Sequence, residues 1–254
     1  MTIWIDQPIW PRHGTVFAHL ISDTSLEELH SFASRAGLHP RSFHGDHYDV
    51  PQERYASALA AGAAATTGGD VVRKLAGSGL RLRKRRGDHP VGRVRGVSFP
   101  DGTLADVDLV VSDRPVGEPV FAALCLTQDA DDRFAVVRSV RRKAWGAPGG
   151  AREPGESVLA AVIREVREET GLVLPEDEVV PCAYERFDPV GERRGPWLPG
   201  RGYLQVYRAR VPASAPPLGF SLDDVDAARW VTRGEMEALS GQEFWWPLVP
   251  RLFG

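Results

Sequence analysis

Cysteine is nearly absent: Cys125 and Cys182 are the only two in 254 residues. Both sit in apolar surroundings and far apart in sequence, which fits reduced core thiols better than a disulfide scaffold or zinc site, and a cytoplasmic setting is expected. No apolar run approaches the roughly 18 residues that cross a bilayer, and the opening "MTIWIDQPIWPRHG" lacks a signal peptide's basic and apolar regions. A soluble protein without a membrane partner is expected. Large net charge is missing too: at -3 the whole chain exerts no pull on nucleic acid or anionic lipid, so such binding would need a local patch. Histidine is missing from everything after His89, which suggests two modules of separate origin.

What is present fits ordinary globular packing, with 43% hydrophobic and 26% charged residues, and the length favours two domains. We place the boundary near residue 95, giving a small α/β domain at 1–94 and a second domain at 95–254. "TIWID" alternates like a strand and is followed by a Pro-punctuated loop. "SDTSLEELHSFASRAGL" has Thr24 and Ser25 as candidate N-caps and Gly37 in C-cap position. A short extended piece is expected at 41–43, then helices in "QERYASALAAGA" and "GGDVVRKLAGSG". The basic stretch "RLRKRRGDHPVGRVRG" has the composition of a linker or exposed loop. Its run from Arg81 to Arg86 could touch phosphates, but a solvated charge run is the more ordinary reading, and no nucleic-acid partner is expected.

Strands are expected in the second half at 108–111, 120–127, 134–140, 179–187, 203–211 and 228–231, with helices through "REVREET" and at 233–240. Strands on both sides of a central helix, then a final helix, indicate an α+β or mixed α/β sandwich.

"REVREET" carries the chemistry. At about 100° per residue, Glu165, Glu168 and Glu169 share one flank, while Leu159, Val162, Ile163 and Val166 form the neighbouring apolar stripe. Like charges at this spacing cost a free helix only about 0.2–0.5 kcal/mol. On a partly buried flank they raise one another's pKa unless a cation compensates, and an all-oxygen ligand set selects a hard ion such as Mg²⁺. Upstream, Gly146, Pro148, Gly149, Gly150 and Gly155 let the backbone approach a ligand closely at a helix beginning near Ser157.

The stretch "GAREPGESVLAAVIREVREETGL", Gly150 to Leu172, resembles a Nudix box at every fixed position, and "WGAPGG" before it resembles the family as well. The resemblance implies a mixed sheet sandwiched by helices, and the expected protein is a bacterial enzyme. It also implies Mg²⁺- or Mn²⁺-dependent hydrolysis of a pyrophosphate bond in a nucleoside diphosphate linked to another moiety, such as a dNTP, ADP-ribose or a dinucleotide. Glu165, Glu168, Glu169 and the Gly150 carbonyl then look like metal ligands, with Glu165 or else a downstream acid as the base, while Glu156 and Arg164 shape the loop and helix. Asp223, Asp224 and above all Asp226 are candidates for one further ligand, or merely decorate a turn.

The Gly/Pro/Arg-rich segment from Phe187 to Tyr203 reads as a long loop. In it Arg193, Arg194 and Arg201 could grip phosphate and Trp197 could stack on a base. Pro189 lies near the place where the ADP-ribose-cleaving class carries a proline, out of clean register. Trp245 and Trp246 read as core anchors. The first module resembles DUF4031, a domain of unknown function, through "HGDHYDVPQERY" and "SDTSLEELH". His44, Asp46, His47 and Asp49, with Asp6 at a strand end, form either a second metal or phosphate site or a hydrogen-bonded loop, and His13 and His19 add to it only if the fold brings them there. A homodimer stays open. Competing readings are a Nudix-like module that senses a nucleotide without cutting it, and a chain whose main activity lies in the first module.

Overall fold

A computed structural model describes residues 2–82, 84–117, 119–192, 202–221 and 224–254. The fold is mixed α/β, and the chain divides into two compact units, Met1–Arg93 and Val94–Gly254.

The first unit runs β1 (Ile3–Ile5), β2 (Trp10–Arg12), β3 (Thr15–Ser22), α1 (Leu26–Arg35), β4 (Tyr48–Pro51), α2 (Gln52–Ala60), β5 (Ala64–Ala65) and α3 (Gly68–Ser78). Its strands form one sheet in the order β2-β3-β1-β5, with β4 also paired to β3. Helix α1 starts where expected, because the Ser25 side chain accepts from the Glu28 N–H at 3.1 Å. It buries Leu29, Phe32 and Ala33 in a core shared with Ile3, Ile5, Leu20 and Val50. Two expectations fail here. Residues 40–42 form a 3₁₀ turn instead of an extended piece, started by the fixed φ of Pro40. The presumed loop after β1 contains the hairpin β2–β3, turned by His13 and Gly14, both at positive φ.

Strand β6 (His89–Ser98) runs from the end of the first unit into the second, which continues with β7 (Leu104–Val111), β8 (Val120–Gln128), β9 (Phe134–Ser139), β10 (Trp145–Gly146), β11 (Gly149–Ala151) and α4 (Val158–Thr170). After these come β12 (Val180–Val190), β13 (Gly202–Arg210), β14 (Val225–Val231), α5 (Arg233–Ser240) and α6 (Leu248–Phe253). Among the described residues they build a sheet in the order β10-β9-β8-β13-β12-β7-β6, with β11 on β8 and β14 on β9. Strands β8 and β13 run parallel. The end of the expected linker is therefore strand β6, whose charges and glycines suit its place at the sheet edge. Phe187–Val190, expected in the long loop, extends β12 and pairs Pro189 with Ala105.

Helix α4 lays Val162 and Val166 on Ala123, Cys125, Ala135, Tyr207 and Ala209. Burying each of these valines contributes about 1.5–3 kcal/mol. Cys125 and Cys182 are free and buried, and burial pushes both thiols up to about 12. No helix among the described residues is long and apolar enough to cross a membrane.

Candidate active site

Three local devices fix the acidic helix. Ser157 caps its start by accepting from the Ala160 N–H at 3.0 Å. Gly171 ends it at φ 73°, a left-handed conformation that glycine adopts without a Cβ penalty. The apolar stripe then fixes its rotation, so the carboxylates point along one flank toward β11.

That strand supplies the other wall. The Gly149 N–H donates to Glu169 Oε2 at 2.8 Å. At Gly150 the approach is closer: a β-carbon there would lie 2.6 Å from the Glu165 carboxyl carbon. A glycine is therefore required for steric reasons, which the sequence signalled only as looseness.

Arg164 is the hub. Its Nε and Nη2 donate to the two oxygens of Glu156 at 3.0 and 3.2 Å, its Nη1 to Glu165 at 2.8 Å and Glu168 at 3.0 Å, and its Nη2 also to the Ala151 carbonyl at 3.2 Å. These contacts raise the guanidinium's pKa further, and the same bonds hold Glu156 below the usual carboxylate range. One planar fork thus ties the loop (Glu156, Ala151) to the helix flank (Glu165, Glu168), a task suited to arginine's fixed donor geometry.

The flank acids remain strained electrostatically. Glu165 is 8% and Glu169 6% exposed. Burial raises the pKa of Glu165, against Arg164, with Glu168 and Asp224 adding to the rise. Glu169 is pushed up to about 7, first by burial and then by Glu165 and Asp224, against the Gly149 N–H and Arg142. Four carboxylates thus face the guanidiniums of Arg164 and Arg142. Glu165 and Glu169 are buried, Glu168 is half-buried and Asp224 exposed, and this excess of carboxylate oxygens fits a hard divalent ion in both charge and ligand type. Arg164 Nη1 holds Glu165 and Glu168 together, and the Gly149 N–H holds Glu169.

Asp226 does not join them. It forms a two-point ion pair with Arg138 at 2.6 and 2.9 Å on β14, where the register shifts between Val225 and Ala227. The acid of this segment that acts electrostatically on Glu165 and Glu169 is Asp224. Asp223, Arg193, Arg194, Trp197 and Arg201 lie outside the described residues. Trp245 and Trp246 are half-buried, with ring centroids 6.3 Å apart.

Sequence reading missed Glu185. It is buried on β12, its Oε1 has no hydrogen-bond partner among the described residues, and burial pushes it up to about 8 against Arg142. The available signal was an acid in the middle of an apolar strand, "CAYERF".

Residues 118–252 match the family model of the NUDIX domain. The chain belongs to the Nudix family. Residues 3–78 match the DUF4031 model, described as a protein of unknown function. A 50-residue stretch is 50% identical to the uncharacterized Nudix hydrolase YvcI of Bacillus subtilis (strain 168), covering 20% of this chain and 31% of that protein. The chain thus spans about a third of that relative's length.

Similar solved structures include the E. coli dihydroneopterin triphosphate pyrophosphohydrolase, with a TM-score of 0.42, 19% identity, and coverage of 54% of this chain and 97% of that one. The NUDIX domain of Shewanella oneidensis NrtR, complexed with ADP ribose, gives 0.40, 16%, 54% and 90% in the same order. A Bacillus subtilis pyrophosphohydrolase gives 0.39, 17%, 53% and 75%.

Proposed function

We propose that this Nudix chain hydrolyses a pyrophosphate bond in a nucleoside diphosphate linked to another moiety. Glu165, Glu168, Glu169 and the Gly150 carbonyl would hold Mg²⁺ or Mn²⁺. The observation that carries this reading is the pair of buried, raised-pKa glutamates backed against Gly149 and Gly150, since such acids gain most from a compensating cation.

A bound ion would neutralise diphosphate oxygens and lower the pKa of the attacking water. The chain's own groups do the rest. Arg164 ties Glu165 and Glu168 of the helix to Glu156 of the loop, which sets the loop against the helix before substrate arrives. The Gly149 N–H fixes one oxygen of Glu169. Glu165, held between Arg164 and the Gly150 backbone, is placed to take the water's proton. Asp224 supplies the further carboxylate in place of Asp226. Arg193, Arg194 and Arg201 gripping phosphate, and Trp197 stacking on a base, complete the proposal on the substrate side.

The test is hydrolysis by the purified protein with Mg²⁺ or Mn²⁺ across dNTPs, ADP-ribose, NAD(H), CoA and dinucleoside polyphosphates, alongside Glu168→Gln and Glu169→Gln. Phosphate-anhydride cleavage that both variants lose supports the proposal. Tight nucleotide binding without cleavage would favour the sensing reading, and variants as active as the parent would refute the assigned roles.

A further inference from the structure

The first unit carries a second convergence of ligand-capable side chains, which the hydrolase reading leaves unused. Antiparallel pairing of β3 with β4 puts His19 directly opposite Asp49. His47, two residues before Asp49, points to the same side of the extended chain. One ligand atom from each of the three lies within 4.8 Å of the others.

The outer contacts of the two histidines are alike. His19 Nδ1 is 3.0 Å from Asp6 Oδ2, and Asp6 is also fixed by the His19 N–H at 2.6 Å and Trp10 Nε1 at 3.1 Å. His47 Nδ1 is 2.5 Å from Asp46 Oδ1, whose other oxygen accepts from the Leu82 N–H at 3.2 Å. Asp6 and Asp46 are 1% and 3% exposed. A buried carboxylate at Nδ1 holds the proton there and turns the Nε2 lone pair outward, the arrangement that orients metal-binding histidines. His47 Nε2 is 3.4 Å from Asp49 Oδ1, while Asp49 Oδ2 meets His44 Nε2 at 3.1 Å and Arg12 Nη1 at 3.0 Å.

We propose that His19 Nε2, His47 Nε2 and an oxygen of Asp49 form a transition-metal site of the zinc class, chemically distinct from the all-oxygen flank of α4. Two imidazoles and one carboxylate suit Zn²⁺ and its first-row neighbours and disfavour Mg²⁺. Tetrahedral bonds of about 2.0–2.2 Å set donors roughly 3.4 Å apart, so donors that lie within 4.8 Å of one another close on an ion by a small side-chain adjustment. Three protein ligands leave a coordination position open. It faces a pocket of about 320 Å³ lined by Trp10, Arg12, His44 and Lys84 among others, whose two cations suit an anionic oxygen ligand on the ion. His44 acts from outside, positioning Asp49.

The test uses the full chain and needs no hydrolysis. Zn²⁺ alone and Mg²⁺ alone are titrated by equilibrium dialysis into a Glu165→Gln/Glu168→Gln/Glu169→Gln background, which removes the box carboxylates. One Zn²⁺ per chain is expected to remain, unaffected by excess Mg²⁺. Adding His19→Ala or His47→Ala abolishes it, and Asp6→Asn weakens it about 10–100-fold. Circular dichroism checks that each variant folds. On the unmutated protein, Zn²⁺ shifts the Nε2 resonances of His19 and His47 and leaves His30 unmoved, a readout that no folding defect can mimic. Absence of bound Zn²⁺ in the background protein, folded histidine variants that bind as tightly, equal competition by Mg²⁺, or shifts spread over all histidines would each overturn the site.

Discussion

The Glu165 carboxyl packs so closely on Gly150 that a β-carbon there would sit 2.6 Å from its carboxyl carbon, whereas one at Gly149 would meet the backbone, 2.3 Å from the Ala123 carbonyl oxygen. Two neighbouring glycines are thus required for different reasons. At Gly150 the obstructing atoms are the tip of a side chain, which can swing away. Gly150→Ala is expected to leave the melting temperature almost unchanged while lowering kcat/KM about 100-fold, because the carboxylate is moved from its place. At Gly149 only the sheet can yield. Gly149→Ala is expected to destabilise the fold by about 1–3 kcal/mol in urea unfolding. The reverse pattern would show that the glycine wall does not position Glu165.

Arg164 joins Glu156, Glu165, Glu168 and the Ala151 carbonyl through one guanidinium. An ammonium cannot span these acceptors in fixed directions. Both Arg164→Ala and Arg164→Lys are therefore expected to reduce kcat/KM for the best anhydride substrate by about 10–100-fold. Glu156→Gln should follow in the same direction, since it removes the anchor on the loop. A lysine variant as active as the parent would mean that charge alone, not the fork, is what the site requires.

Much of this was legible in the sequence because local and tertiary signals agreed. Helix α4 has its cap at Ser157 and its stripe through Val162 and Val166, so its start and its acidic flank could be read. Where long-range pairing decides, reading failed. Strand β6 looks like a linker because an edge strand tolerates the charges and glycines of "GRVRG". The β2–β3 hairpin hid behind Pro8 and Pro11 and turned on His13-Gly14, where histidine replaces the usual Asn or Asp. Asp226 rather than Asp224 looked like the ligand because the register shift that separates them is set by β9. His19 is isolated in sequence and meets Asp6 and Asp49 only through β1 and β4.

The cap at Ser157 offers a separate check on the loop-to-helix junction. Its hydroxyl accepts from the Ala160 N–H at 3.0 Å. Ser157→Ala is expected to cost about 1 kcal/mol of stability. Glu165 lies two turns further along a helix still held by Val162 and Val166, so hydrolysis should fall by less than the Arg164 variants show. A loss of activity without loss of stability would instead assign Ser157 a direct role at the cleft.

Glu185 gives the clearest pH signature. Burial raises its carboxyl from an ordinary 4.5 to about 8, so between those values the folded chain holds a proton that the unfolded chain releases. Stability from this group is then fully present below about pH 4.5 and is lost as pH rises through about 8. The slope is set by roughly 1.4 kcal/mol for each unit of pKa difference. Glu185→Gln keeps the shape and removes the titration. In urea unfolding across that range, the variant should gain on the parent steadily as pH rises and hold a constant lead above about pH 8. A difference between the two proteins that stays flat with pH would mean that Glu185 is already ionised in the folded chain, and Arg142 would then have to be its compensating charge.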